Sequence, residues 1–337
     1  MNFIKTIICL ALVIYGTQLF ATIVPIVTVE ENNRLEDLAD GTGVNEWRFM
    51  TNSGLAVALE AEKLLDFDKS KSITILVGKG YKGGNALWGG YLLLQRGYSV
   101  KAYLLVPVTE EWPSICGEII SMFKDSGGDV DLFDATSDAS TDLIIDGLVG
   151  TGFKGGAKGR LAEMIMWANN SRHPILAVDI PSGLNGNTGK VETVAVFAKH
   201  TIAISFPKIG LFICDGNNYV GTFSTINIGL DDEILALVQP EAYLISTNQA
   251  SKYLNLSELI KLDRDTLETY LRKEGELTFQ DCQRFSEENQ MAFILTDTQL
   301  MIFTPLEKPM IIDDNIIQYK INEGMGIGID NYISQND

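Results

Sequence analysis

The feature that most constrains this chain is an alternation. Apolar runs stand at Ile73–Val77, Val100–Val106, Leu143–Val149, Ile175–Ile180, Thr201–Phe206 and Phe223–Ile228. Between the earlier ones lie stretches of helical period, Asn85–Gln95, Ile115–Asp125 and Arg160–Asn170. Strand and helix in turn predict a mainly parallel sheet covered by helices on both faces. Upstream, apolar and acidic residues from Glu30 to Leu65 recur at helical spacing, broken at Gly41-Thr42-Gly43 into two helices. A chain of 337 residues with 46% hydrophobic side chains can bury one large α/β core and a second small unit. In such sheets ligands bind at the carboxyl ends of the strands.

Charge and composition narrow the function. A formal charge of −18 repels phosphate backbones and anionic lipid, and no local basic patch offsets it, so no nucleic acid is expected as a partner. Cys9, Cys116, Cys214 and Cys282 stand far apart without a CxxC pair, and only His173 and His200 could join them. A zinc site of the usual kind is not expected. The first residues, with Lys5, an apolar run Ile7–Tyr15 and small residues up to Ala21, have the grammar of a secretory signal cleaved after Ala21. The mature protein is then exported, periplasmic or secreted. An uncleaved anchor or a buried terminal element in a cytoplasmic protein are the alternatives. Past Asp231 acid outnumbers base and strand signals thin out to Phe293–Thr296, Leu300–Thr304 and Met310–Ile312. Helical patterns lie at Leu256–Leu271 and Asp281–Asn289. The domain reading is therefore a signal over 1–21, an α/β domain over 22–235 and an acidic α+β extension over 236–337.

Three glycine-bearing turns follow three of the strands. Gly78-Lys79-Gly80-Tyr81-Lys82-Gly83-Gly84 fits GxGxxG where a strand enters a helix, a place where backbone N–H groups can cradle phosphate. A nicotinamide oxidoreductase would need an acid at the end of the next strand, and Leu104-Leu105-Val106-Pro107 has none. A nucleotide-hydrolysing phosphate loop fails as well, because Gly84 and Asn85 stand where Lys and Ser or Thr are required. The second turn runs from Asp146 through Gly150, Thr151, Gly152, Phe153, Lys154, Gly155 and Gly156. In the third, Val178-Asp179-Ile180-Pro181-Ser182-Gly183, Asp179 closes a strand that should be central. It is either a desolvated carboxylate suited to proton transfer or a turn cap.

Taken together these turns resemble the YjeF N-terminal domain family, whose characterised enzymes are NAD(P)H-hydrate epimerases. The likeness rests on Tyr81-Lys82-Gly83-Gly84-Asn85-Ala86, on Asp146 with Gly150-Thr151-Gly152, and on the nearly unaltered Val178–Gly183 motif. Met50-Thr51-Asn52-Ser53-Gly54 and Phe206-Pro207-Lys208-Ile209-Gly210-Leu211 also resemble family segments, so the likeness spans about Val29 to Leu230. The resemblance implies a three-layer α/β/α Rossmann-like sandwich, a homodimer, and interconversion of the R and S epimers of hydrated NADH or NADPH, a nicotinamide nucleotide repair. It implies substrate binding by Tyr81, Lys82, Gly83, Gly84 and Asn85, by Gly150, Thr151, Gly152, Phe153, Lys154, Gly155 and Gly156, and by Asp179, which falls on the catalytic position. It also implies a potassium ion at the positions of Lys82, Asp146 and Ser182.

Lys82 departs from that pattern, because an ammonium has no lone pair to give to a metal and repels it. Either the Lys82 ammonium replaces potassium, meeting Asp146 and Ser182, or it is a solvated lysine in a loop that has lost its constraint. Asn85 stands where the family has an acid and Ala86 where it has glycine. Substrate phosphates are then expected on the N–H groups of Gly83 and Gly84 and on Lys82, with Lys79 and Lys154 adding positive charge. Two functions follow: an epimerase, or a non-catalytic YjeF-type binding or dimerisation module. In the tail, Ala242–Leu254 and Gly324–Asp330 resemble parts of the dehydratase domain that follows in many relatives. The tail is too short for that activity and is either a remnant or an unrelated acidic appendage.

Overall fold

The computed structural model describes residues 23–41, 46–109, 112–134, 136–137 and 140–245, then 260–262, 281–284, 293–296, 300–303, 310–312 and 317–319. The signal expected over 1–21 lies outside the described residues. Among the described residues no helix is long and apolar enough to cross a membrane.

The predicted strands form the middle of one parallel sheet. They are β2 (Ser72–Val77), β3 (Ser99–Leu104), β5 (Leu143–Gly147), β6 (Ile175–Val178), β7 (His200–Ile204) and β8 (Thr222–Ile226). Two unpredicted strands, β4 (Asp129–Leu132) and β14 (Ile317–Tyr319), close its edges, giving the order β14-β8-β7-β6-β5-β2-β3-β4. Every pairing in it is parallel. Parallel strands need crossovers, and helices supply them: α3 (Tyr81–Gln95) between β2 and β3, α4 (Ser114–Asp125) between β3 and β4, and α5 (Gly159–Asn170) between β5 and β6. Two more helices, α1 (Val29–Gly41) and α2 (Glu46–Leu64), precede the sheet, as the break at Gly41 to Gly43 predicts.

Alternation along the strands sends side chains to two different cores. Ile73, Ile75, Val77, Ile145, Val178, Ile202 and Ile226 pack against α2, α3 and α4. Leu76, Ile144 and Ile175 face the other way and meet Met164, Ile165 and Ala168 of α5. The result is the three-layer α/β/α sandwich expected from the sequence. Helices α2 and α3 touch through glycines: a Cβ on Gly54 would stand 2.3 Å from Trp88 Cδ1, and one on Gly89 would stand 2.6 Å from Val57 Cγ1. The Met50–Gly54 motif thus fixes the helix layer.

Helix α6 (Gly216–Val220) lies between β7 and β8, α7 (Asp232–Leu235) follows Leu230, and the residues beyond it contribute most of a second sheet. That sheet contains β1 (Ile23–Ile26), β9 (Ala242–Ile245), β10 (Ile260–Leu262), β11 (Phe293–Thr296), β12 (Leu300–Phe303) and β13 (Met310–Ile312), in the order β1-β9-β13-β12-β11-β10. Val24, Ile26, Ala242 and Leu244 pack with Ala203 and Phe223 of the main sheet, so the small sheet covers the part of that face α5 leaves. The boundary drawn at 235/236 is crossed twice: β1 pairs with β9, and β14 pairs with β8. One expectation fails here. The helical pattern over Leu256–Leu271 includes Ile260–Leu262, which is a strand parallel to β11, so pairing with a neighbour has overridden local period.

Candidate functional site

The strand order reverses between β5 and β2: the chain runs outward from β2 through β3 to β4, then returns to β5 and runs the other way. At such a reversal the loops after the two central strands leave to opposite sides and open a crevice. Two of the three glycine turns are those loops. Their approach is close enough to require glycine, since a Cβ on Gly78 would stand 1.7 Å from Leu148 O, while Gly78 N–H donates to Gly147 O at 2.9 Å.

The first turn is shorter than its sequence suggests. Helix α3 starts at Tyr81 rather than at Asn85, so Gly83 and Gly84 are buried helical residues. Gly84 N–H donates to Gly80 O at 3.2 Å, which removes it from the phosphate-binding role expected of it. A Cβ on Gly83 would stand 2.0 Å from Gly78 O, so this glycine lets the helix rise directly over its own entry loop. Tyr81 is largely exposed, and its hydroxyl bonds to Glu46, which with burial pushes the phenol up to about 12. Asn85 is half-buried one turn into the helix.

Lys82 points inward. Its Nζ lies 2.6 Å from Ile180 O, 2.9 Å from Val149 O, 2.9 Å from Ser182 Oγ and 3.2 Å from Asp146 Oδ2. The residue is 7% exposed, and Asp146 and Ser182 are 0% exposed. Asp146 Oδ1 also accepts from Leu148 N–H at 3.1 Å and from Ser182 Oγ at 2.6 Å, and its Oδ2 accepts from Ser182 N–H at 2.8 Å. Ser182 Oγ in turn accepts from Val149 N–H at 3.0 Å. A buried carboxylate with four donors is well satisfied. Burial pushes the Lys82 ammonium below the usual lysine range, and the Asp146 carboxylate opposes that push.

These distances decide whether the residues fit the potassium ion implied by the resemblance. They do not fit: an ion among these oxygens would coincide with Nζ and meet a like charge in a poorly screened interior. The phosphate contact expected of Lys82 is lost for the same reason, because its donors are spent on internal oxygens.

The third turn brings Asp179 to the same place. A Cβ on Gly150 would stand 3.5 Å from Lys82 Cβ and 3.7 Å from Asp179 Oδ2, so all three turns meet at one rim. Asp179 is 8% exposed and has φ 68°, a left-handed conformation uncommon for a side-chain-bearing residue and frequent at functional positions. Its Oδ1 accepts from Lys208 Nζ at 2.6 Å and from Ile204 N–H at 3.3 Å. Neither sequence reading of Asp179 anticipated this, since the carboxylate is one half of a buried ion pair. Lys208, 0% exposed, also donates to Ile204 O at 2.8 Å. Glu36 of α1 accepts from Ser205 Oγ at 2.6 Å and from Asn32 Nδ2 at 3.0 Å. Burial raises Glu36 above the ordinary carboxylate range, and Lys208 works against that.

Lys208 and Glu36 were missed as site residues. The signal available for Lys208 was its place directly after Phe206-Pro207, where the strand ends and the chain turns back. Of the second turn, Gly152, Lys154 and Gly155 are exposed and Thr151, Phe153 and Gly156 are half-buried, so this loop forms the open wall of the crevice. Lys79 lies exposed at the same rim.

Comparison with known proteins fits this geometry. Residues 46–210 match the family described as YjeF-related protein N-terminus. An NAD(P)H-hydrate epimerase of Elusimicrobium minutum is 32% identical over 222 residues, 63% of this chain and 99% of that one. One of Rhodopirellula baltica is 30% identical, covering 55% of this chain and 76% of that one. A bifunctional NAD(P)H-hydrate repair enzyme of Moorella thermoacetica is 30% identical over 63% of this chain, and the match spans only 42% of that enzyme. The crystal structure of the yeast protein ynu0 has the same fold, with a TM-score of 0.52 at 16% identity over 60% of this chain and 87% of that one.

Proposed function

The chain belongs to the family of YjeF-related N-terminal domains, and from that premise we propose that it is an NAD(P)H-hydrate epimerase acting at the crevice between β2 and β5. The observation that carries the reading is Asp179: a buried carboxylate whose Oδ1 is fixed by Lys208 while Oδ2 faces Gly150 of the second turn. The substrate is hydrated NADH or NADPH. Its charged phosphates suit the exposed Lys79 and Lys154 at the rim of an otherwise acidic protein, where a local positive field can concentrate an anionic ligand. Backbone of the Gly150–Gly156 wall approaches the ligand without side chains in the way.

The reaction needs a proton moved without net gain or loss. With Asp179 protonated on Oδ2, the oxygen that Lys208 does not hold, the ring carbon bearing the hydroxyl loses it as water by taking that proton, and the ring nitrogen's lone pair stabilises the resulting cation. Water then adds to the opposite face and returns its proton to the carboxylate. Lys208 keeps the carboxylate oriented and stabilises its ionised form between the two steps. Asp179→Asn retains the carbonyl acceptor for Lys208 and Ile204 N–H but cannot carry the proton. Epimer interconversion followed by chromatography should fall by about 10²-fold or more. Turnover equal to wild type would refute the assignment.

The homodimer implied by the resemblance belongs to the same proposal, and sedimentation equilibrium tests it. Export is proposed on the sequence alone, and the N-terminal residue of the mature protein decides it.

A further inference from the structure

We infer that Lys82 is an intramolecular monovalent cation: its ammonium takes the position where this family's resemblance implies potassium, so that this chain closes its site without the ion. The inference takes the family position from the reading above, but its evidence is the cage itself.

Four oxygens converge on one nitrogen from two separate stretches of chain. Asp146, next to last in β5, and Val149 belong to the second turn, and Ile180 and Ser182 belong to the third. Lys82 arrives from the first turn of α3, so one buried charge ties together every loop of the crevice. The surroundings suit an ammonium rather than an amine. Val149 and Ile180 offer carbonyl oxygens, Asp146 offers a carboxylate oxygen, and the Ser182 hydroxyl proton points to Asp146 Oδ1 at 2.6 Å. A neutral amine would turn its lone pair onto one of these oxygens, whereas an ammonium has three protons for the three nearer ones and a charge for Asp146 Oδ2 at 3.2 Å.

Charge accounting leads to the same conclusion. A buried carboxylate without a compensating charge is costly, and a bound ion or a tethered one can supply it. A tethered cation gives up little freedom at the binding step, because the first turn of α3 already delivers its stem beside Gly150, 3.5 Å from the position a Cβ there would take. The departure from the family pattern at Lys82 is thus a substitution of one cation for another, with charge at the site conserved. The site thus holds its charge in media poor in potassium.

Thermal unfolding of the full chain in potassium, sodium and choline chloride at equal ionic strength tests this without any assay of turnover. Wild type should unfold at one temperature in all three. Lys82→Asn, which empties the cage of its charge and supplies a neutral oxygen donor, should unfold earlier in choline and regain stability in potassium in a concentration-dependent way, as a ligand that binds only the native state requires. Wild-type crystals soaked in rubidium chloride provide a measurement that needs no variant: the expected result is no anomalous peak between Asp146 and Ser182. A rubidium peak there, a potassium-specific rise in wild-type unfolding temperature, or a folded Lys82→Asn protein indifferent to potassium would each overturn the inference. Because none of these readouts involves the substrate, loss of the epimerase reading would leave the result interpretable, and the reverse also holds.

Discussion

Lys208 Nζ and Asp179 Oδ1 stand 2.6 Å apart at the carboxyl edge of the sheet, the lysine wholly buried and the aspartate nearly so. The pair joins the turn after β6 to the turn after β7. Two buried charges held in this way are worth little against an apolar alternative, but removing one of them leaves the other uncompensated. Lys208→Met should therefore lower stability by about 3–5 kcal/mol, seen as a shift of the urea midpoint without a change in slope. Adding Asp179→Asn to Lys208→Met should recover a large part of the loss. An unmoved midpoint in the single variant would show that the pair is not held as described.

The Asp146–Lys82 pair makes a matching prediction on the other side of the crevice. Asp146→Asn leaves a buried ammonium without its counter-charge and turns an amide N–H₂ toward donors that formerly met a carboxylate. A loss of about 3–5 kcal/mol is expected. Combined with Lys82→Met, the cost should be less than the sum of the two single changes, by about 1 kcal/mol or more for residues in one hydrogen-bonded network. Strict additivity in urea denaturation would contradict the contact.

How much of this was readable from residues alone depended on whether local signals agreed with the final packing. The central strands announced themselves because both their faces are buried, leaving unbroken apolar runs such as Leu143–Ile145. Strand β4, Asp-Val-Asp-Leu, was silent: it lies at the sheet's edge with three of its four residues exposed, so burial imposes no pattern on it. Strand β1, Ile23–Ile26, stands just past the expected cleavage after Ala21, and the sequence reading assigned it no element. The start of α3 was read four residues late because Gly83 and Gly84 argue against helix on propensity; tertiary closeness to Gly78, Met50 and Cys116 demands them there regardless. The three turns were legible as motifs, and the inward turn of Lys82 was one of two open readings. The partnership of Lys208 with Asp179 was not legible, since it depends on the fold returning two turns to one point.

The close approach of the first two turns can be tested at single glycines. A Cβ on Gly78 would meet the Leu148 carbonyl at 1.7 Å, and the obstacle is backbone, which cannot swing aside. Gly78→Ala should destabilise by about 1–3 kcal/mol or more through forced separation of the loops, with a parallel loss of ligand binding. Gly80, two residues on, has nothing within 4 Å of a Cβ. As the residue capping α3 with extended backbone, it should tolerate alanine at a cost of at most about 1 kcal/mol. Equal costs at the two positions, measured by denaturant unfolding, would mean the turns are farther apart than described.

Glu36 provides a pH signature for the same rim. Its carboxyl is raised above the ordinary value of 4.5, first by burial, with Lys208 opposing and Asp179 reinforcing. An acid that holds its proton more tightly when folded binds more protons in the native than in the unfolded state between the two pKa values. Its contribution to stability is therefore full below pH 4.5 and is lost as pH rises through the raised value. Each unit of displacement corresponds to about 1.4 kcal/mol. Glu36→Gln keeps the oxygen that accepts from Ser205 and Asn32 and removes the titration. The variant should match wild type in acid and become progressively the more stable protein as pH rises, with the difference levelling off once wild-type Glu36 is ionised. Urea midpoints measured from pH 4 to 8 trace that curve. Two parallel lines would mean that Glu36 is no harder to ionise in the native protein than in the unfolded chain.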